Sequence, residues 1–112
     1  MVKVYNKLVR DKIPAIIKKN GHKVKYRKLK DDEYKQALKD KLLEEVKEFL
    51  AAQTHDEMVE ELEDINLVLL FIKEEYKINS HMQSVIGLNK LIEKGGFHNR
   101  YFLESVEEKD SQ

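Results

Sequence analysis

Two long runs of helically spaced apolar residues, separated only by Gln53-Thr54-His55, constrain this chain more than any other feature. The first carries Leu38, Leu42, Val46, Phe49 and Leu50, a spacing that gathers them on one helix face. The second carries Met58, Leu62, Ile65, Leu69 and Ile72. Thr54 is followed three residues later by Glu57, a capping box in which hydroxyl and carboxylate satisfy backbone N–H groups at a helix start. A loop this short returns the second helix antiparallel to the first. Residues 65–72 have the composition of a buried strand, but the capping box and the spacing through them favour helix. A helix that is apolar on every side must be covered on every side. The expected fold is therefore all-α: a helical hairpin completing a four-helix bundle core in a homodimer, or in a tetramer or other higher oligomer. The chain, 1–112, reads as a single domain.

The flanks supply shorter elements. Residues 8–19 read as a helix in which Pro14 is tolerable only in the first turn, ended by Asn20-Gly21. Residues 22–29 alternate loosely and form either a short strand or an extended arm. Asp31 or Asp32 is the expected N-cap of the first long helix, which runs over 32–52. The second long helix extends to residue 76. A third runs over 80–94 and is stopped by Gly95-Gly96. Residues 97–106 form a short tail free to pack back, and 107–112 are expected to fray.

Composition narrows the function. Cysteine is absent, which removes disulfides and cysteine-held zinc and fits a reducing cytoplasm. The N-terminus lacks the apolar core of a signal peptide, and the longest apolar run, 67–72, is too short to span a bilayer. A soluble cytoplasmic protein without a membrane partner is expected. The zero net charge conceals a polarity. Residues 1–41 hold 14 Lys/Arg against five Asp/Glu, whereas residues 42–76 hold 11 acids against Lys47 and Lys73. A site where an anionic substrate meets a divalent cation needs both signs of charge close together.

The acids are concentrated on the two long helices. Glu44, Glu45 and Glu48 form E-E-x-x-E on the first, and Glu61 and Asp64 form E-x-x-D on the second. On a helical wheel Glu48 lies about 60° from Glu45, with Leu42 and Phe49 at similar angles on the other side. Glu45 thus sits at the margin of the apolar face, and Glu61 does the same beside Ile65 and Ile72. In an antiparallel hairpin Glu45, Glu48, Glu61 and Asp64 can converge. An ordinary charged face would be laced with i,i+4 salt bridges. Here six acids and no Lys or Arg lie between Phe49 and Ile72, and Glu44–Glu48, Glu57–Glu61 and Glu60–Asp64 are like-charge i,i+4 pairs. Carboxylates gathered beside an apolar face repel one another unless a cation compensates, and hard divalent ions suit all-oxygen sites. Di-iron bundles need Glu-x-x-His, and no histidine here lies three residues after a glutamate. Mg²⁺, or Mn²⁺ in its place, acting on phosphate remains.

These residues resemble the signature of the MazG-like all-α nucleoside triphosphate pyrophosphohydrolases. Tyr5-Asn6-Lys7-Leu8-Val9-Arg10-Asp11-Lys12-Ile13-Pro14 and Lys94-Gly95-Gly96-Phe97 resemble the opening and closing motifs of that superfamily's phosphoribosyl-ATP pyrophosphohydrolase-like branch. The resemblance implies hydrolysis of a nucleotide between its α and β phosphates, with Glu45, Glu48, Glu61 and Asp64 as metal ligands. Glu44 would then be a supporting carboxylate or would orient the attacking water. Lys7, Arg10, Lys94 and Arg100 are candidates to contact phosphate, with Lys7 and Arg10 sharing a helical ridge. Asn66, two residues after Asp64, departs from the superfamily's commoner wording and either touches substrate or sits buried at a subunit interface.

Two other readings compete. The same fold as a non-catalytic nucleotide-binding regulator is opposed by the intact acid tetrad. A helical dimer binding nucleic acid through its basic arm is opposed by acids that would repel DNA.

Overall fold

Pro14 decides where regular structure begins. Its ring displaces the carbonyl four residues earlier, so a helix cannot extend far upstream of it. In the computed structural model, which describes residues 1–109, α1 accordingly spans Ile13–Lys19, with Pro14 in its first turn. Residues 8–12, expected as helix, lie outside it. Asn20 caps its C-terminus, and Gly21 takes φ +88°, the left-handed conformation that glycine adopts at no steric cost. Residues 22–29 form no strand; they are an irregular arm leading to α2.

Helix α2 spans Asp31–Ala51. Its N-cap is Lys30, not Asp31 or Asp32. The capping group is the Glu33 carboxylate, which accepts the Lys30 backbone N–H at 3.3 Å and is gripped at 3.1 and 2.9 Å by the Arg27 guanidinium. Asp31 and Asp32 instead place negative charge in the first turn, where the helix dipole favours it. Helix α3 spans His55–Glu75 and opens as its capping box dictates. Thr54 Oγ1 accepts the Glu57 N–H at 3.1 Å, while the Glu57 carboxylate accepts the Gln53 N–H at 3.0 Å, one residue before the expected donor. Helix α4 spans Ser80–Lys94, the expected bounds; the Asn79 side chain accepts the Met82 N–H at 2.9 Å and Gly95 ends it at φ +80°.

The regular structure of the described residues is all-helical, without strands. None of the described helices is long and apolar enough to cross a membrane. The chain forms two compact units, Met1–Ile78 and a second beginning at Asn79. In the first unit α2 and α3 pack as a hairpin. Leu38 and Val68 are its buried apolar residues, with Leu42, Val46, Phe49, Ile65, Leu69 and Ile72 half-buried around them. Leu50, Met58 and Leu62, expected on the packed faces, are exposed. Tyr76 closes the open end of the hairpin beneath Lys35 and Lys39, whose ammonium groups lie 5.4 and 5.2 Å from the ring centroid. In the second unit the apolar residues of α4 are exposed, as are Phe97, Tyr101, Phe102 and Leu103. Of the segment expected to fray, 107–109 are exposed and irregular, and 110–112 lie outside the described residues.

Candidate functional site

The hairpin's symmetry about its turn builds the site. Leu38 and Glu45 lie seven residues apart on α2, and Glu61 and Val68 lie seven apart on α3, so each pair occupies nearly one line along its helix. Leu38 and Val68 stand equally far from Gln53 along the chain, as do Glu45 and Glu61. An antiparallel hairpin therefore sets Leu38 level with Val68, and Glu45 level with Glu61. The buried seam is apolar at one level and acidic at the next. Glu45 is only 6% exposed, deeper than the margin expected from its wheel position.

Glu45, Glu61 and Asp64 each bring one carboxylate oxygen within 4.8 Å of the others. Glu45 Oε2 and Glu61 Oε2 are buried without any hydrogen-bond partner. Desolvation, with the carboxylates of Glu45 and Glu48 close by, pushes the Glu61 pKa up to about 7. Glu48 is exposed and stands outside this group of three, although it was expected among the ligands. One turn of α2 separates it from Glu45, and it acts on the group through its charge.

The acids are not without basic partners, contrary to the expectation from α3 alone. Lys7 Nζ donates to Glu44 Oε1 at 2.8 Å, and Arg10 Nη2 donates to Asp64 Oδ1 at 2.6 Å. Both come from the irregular segment before α1, so they share no helical ridge. Lys41, one turn before the acids, bridges Glu44 Oε2 and Glu45 Oε1 at 3.4 Å each and is mostly buried. Partial burial works to raise the Glu44 pKa. The hydrogen bond from Lys7 and the charge and hydrogen bond of Lys41 outweigh it and hold that carboxyl below its ordinary value. Reciprocally, the hydrogen bond to Glu44 raises Lys7. Lys41 was missed from sequence, although its i,i+3 and i,i+4 spacing to Glu44 and Glu45 was the available signal.

The remaining expected residues are Lys94, Arg100 and Asn66. Lys94 and Arg100 belong to the second unit, Lys94 in the last turn of α4 and Arg100 in the irregular segment after it. Asn66 is exposed on α3 in the single chain. The assembled group is thus a set of hard oxygen donors, two of them dry and unpaired, ringed by three cationic side chains. Such a set suits a hard divalent cation.

Comparison with known proteins finds a partial likeness. No family model matches the chain, and no solved structure matches it. An uncharacterized protein of Mycolicibacterium smegmatis (strain ATCC 700084 / mc(2)155) is 51% identical over 53 residues, 47% of this chain. The match covers 54% of that relative, so the chain spans about half its length.

Proposed function

We propose that the hairpin serves Mg²⁺-dependent hydrolysis of a nucleoside triphosphate, or a related nucleotide, at the α–β phosphoanhydride, giving a monophosphate and pyrophosphate. The observation that carries this reading is the pair of buried, unpaired oxygens, Glu45 Oε2 and Glu61 Oε2, within the group completed by Asp64. Unpaired buried oxygens are unfavourable, and a hard cation is the partner that suits them. Glu45, Glu61 and Asp64 would hold the ion, with Glu48 joining as the fourth ligand implied by the MazG-like resemblance. Mn²⁺ would substitute for Mg²⁺. When bound, the ion supplies charge neutralisation at the phosphates and lowers the pKa of a coordinated water.

The chain's own residues do the rest. Glu44 remains ionised beside Lys7 and Lys41 and serves as the acceptor that orients the attacking water. Lys7 and Arg10 hold positive charge where phosphates must approach, the guanidinium being suited to two-point contact with phosphate oxygens. Lys94 and Arg100 are proposed as further phosphate contacts. The choice of the α–β bond rests on the MazG-like resemblance alone.

The assembly proposed with this activity is a homodimer, or a higher oligomer, in which two hairpins complete a four-helix bundle. Exposed Leu70 and Phe71 on α3, with Leu43 and Leu50 on α2, support it by leaving apolar surface to cover. A panel of standard and modified nucleoside triphosphates, incubated with Mg²⁺, tests the activity. Equal release of monophosphate and pyrophosphate is expected. Orthophosphate as the product, or no turnover across the panel, contradicts the proposal.

A further inference from the structure

Lys7 and Arg10 come from one short irregular segment, yet they reach carboxylates on different helices. Lys7 pairs with Glu44 on α2 and Arg10 with Asp64 on α3. The segment therefore lies as a strap across the acidic seam, fastened once on each side. The pairing is over-provided at Glu44, which already has Lys41, and it stops short of the seam's deepest oxygens. Glu45 Oε2, on a side chain more than nine-tenths buried, and Glu61 Oε2 remain unpaired.

Three observations make the strap exchangeable. First, its ion pairs are partly open to water: the Lys7 and Arg10 side chains are 39% and 58% exposed, and pairs of that kind contribute little. Second, the strap is loosely packed on α2. A crevice of about 70 Å³ lies beneath it, lined by Asn6, Lys7 and Leu8 on one side and Ala37 and Lys41 on the other, room enough for water. Third, Asp64 belongs both to the strap's fastening and to the group of three carboxylates. A cation seated on Asp64 and the Arg10 guanidinium therefore draw on the same carboxylate.

We infer that residues 5–10 form a counter-ion strap, in which Arg10 holds Asp64 until a divalent cation displaces it, the cation's charge loosens Lys7 from the neighbouring Glu44, and both basic groups are freed for the phosphates of the incoming nucleotide. The inference rests on the metal reading above and adds an order to it: metal first, then release of the two basic groups, then anion binding. It makes metal and basic strap antagonists in the free protein, and strap and nucleotide partners in the loaded one. A strap that merely fastened the N-terminus would not oppose metal binding.

Mn²⁺ binding, counted from the free-ion electron paramagnetic resonance signal, is measured without nucleotide on the full chain and on Lys7→Gln/Arg10→Gln. The double variant is expected to bind Mn²⁺ roughly tenfold more tightly, the scale of two such pairs removed. It should bind a non-hydrolysable triphosphate in the presence of Mg²⁺ more weakly. Equal or weaker Mn²⁺ affinity in the variant overturns the strap while leaving the metal reading standing. Absence of Mn²⁺ binding by both proteins overturns both.

A second readout needs no stable double variant. The chain has three arginines, Arg10, Arg27 and Arg100, so their side-chain Nε–H resonances are few and separable. Saturating Mg²⁺ is expected to move the Arg10 resonance to the position of a free guanidinium while Arg27, paired with Glu33, stays. An Arg10 resonance that stays in place under Mg²⁺ overturns the strap.

Discussion

Glu45 and Glu61 stand at the same level of the α2–α3 hairpin, and each buries one carboxylate oxygen that nothing pairs. Their position follows from chain geometry. The line of α2 that buries Leu38 also buries Glu45, and the line of α3 that buries Val68 carries Glu61. A packing seam that would ordinarily be filled by two more apolar side chains is filled by two acids. Folding therefore delivers them to each other, and their repulsion is the cost of the site.

That repulsion sets a pH dependence. Glu61 is pushed from its ordinary 4.5 to about 7 in the folded chain, first by desolvation and then by Glu45 and Glu48. A carboxyl raised on folding binds more protons folded than unfolded between those values, so stability falls as pH rises across that window. Glu44, held low, acts in the opposite sense and only at the acid end. Without divalent cations the melting temperature is expected to fall between pH 5 and pH 8. Saturating Mg²⁺ should flatten that decline. Thermal melts followed by circular dichroism check both, and a flat metal-free profile contradicts the coupling.

Leu38 is the most deeply buried apolar residue of the described chain, at 3% exposure, and it shares its helix line with Glu45. Leu38→Ala is expected to cost about 2–4 kcal/mol in denaturant unfolding. It should also weaken Mg²⁺ binding, because the packing that holds α2 against α3 sets the separation of the carboxylates. Val2→Ala, at a residue 88% exposed and outside the hairpin, should change unfolding by less than about 0.5 kcal/mol.

Lys41 bridges Glu44 and Glu45 from the preceding turn. Lys41→Gln removes the charged partner of a buried carboxylate and is expected to lower metal-free stability by about 1–3 kcal/mol. Mg²⁺ should recover part of the loss, since the ion takes over the compensation of Glu45. A purely structural lysine would show the same loss with and without the metal.

Leu70, 56% exposed on α3 beside Phe71, tests the proposed assembly. Leu70→Glu is expected to shift sedimentation from dimer to monomer while far-ultraviolet circular dichroism keeps its helical signal. A wild-type chain that sediments as a monomer at micromolar concentration contradicts the bundle.

The elements that sequence reading placed well are those with local chemistry. Asn79 and Gly95 bound α4 because each satisfies or releases backbone within a few residues, and Thr54 with Glu57 opens α3 for the same reason. The acids were legible because their spacing is a property of single helices. What escaped was non-local. The pairs Lys7–Glu44 and Arg10–Asp64 join residues 37 and 54 positions apart, so the long stretch without basic residues looked uncompensated when it was not. The expected start of α1 at residue 8 lies too far upstream of Pro14, which sits in the first turn because its ring clashes with the carbonyl four residues earlier. Lys30 was missed as an N-cap because the capping atom belongs to Glu33, in the first turn itself.

The most direct measurement is a ³¹P nuclear magnetic resonance time course on nucleoside triphosphates with Mg²⁺, run in parallel on the wild-type chain and on Glu61→Gln. The wild type is expected to produce monophosphate and pyrophosphate in equal amounts. The variant should keep its helical content, lose the raised carboxyl and produce neither. Diphosphate with orthophosphate from the wild type, or undiminished turnover by Glu61→Gln, would contradict a metal-dependent α–β cleavage at this seam.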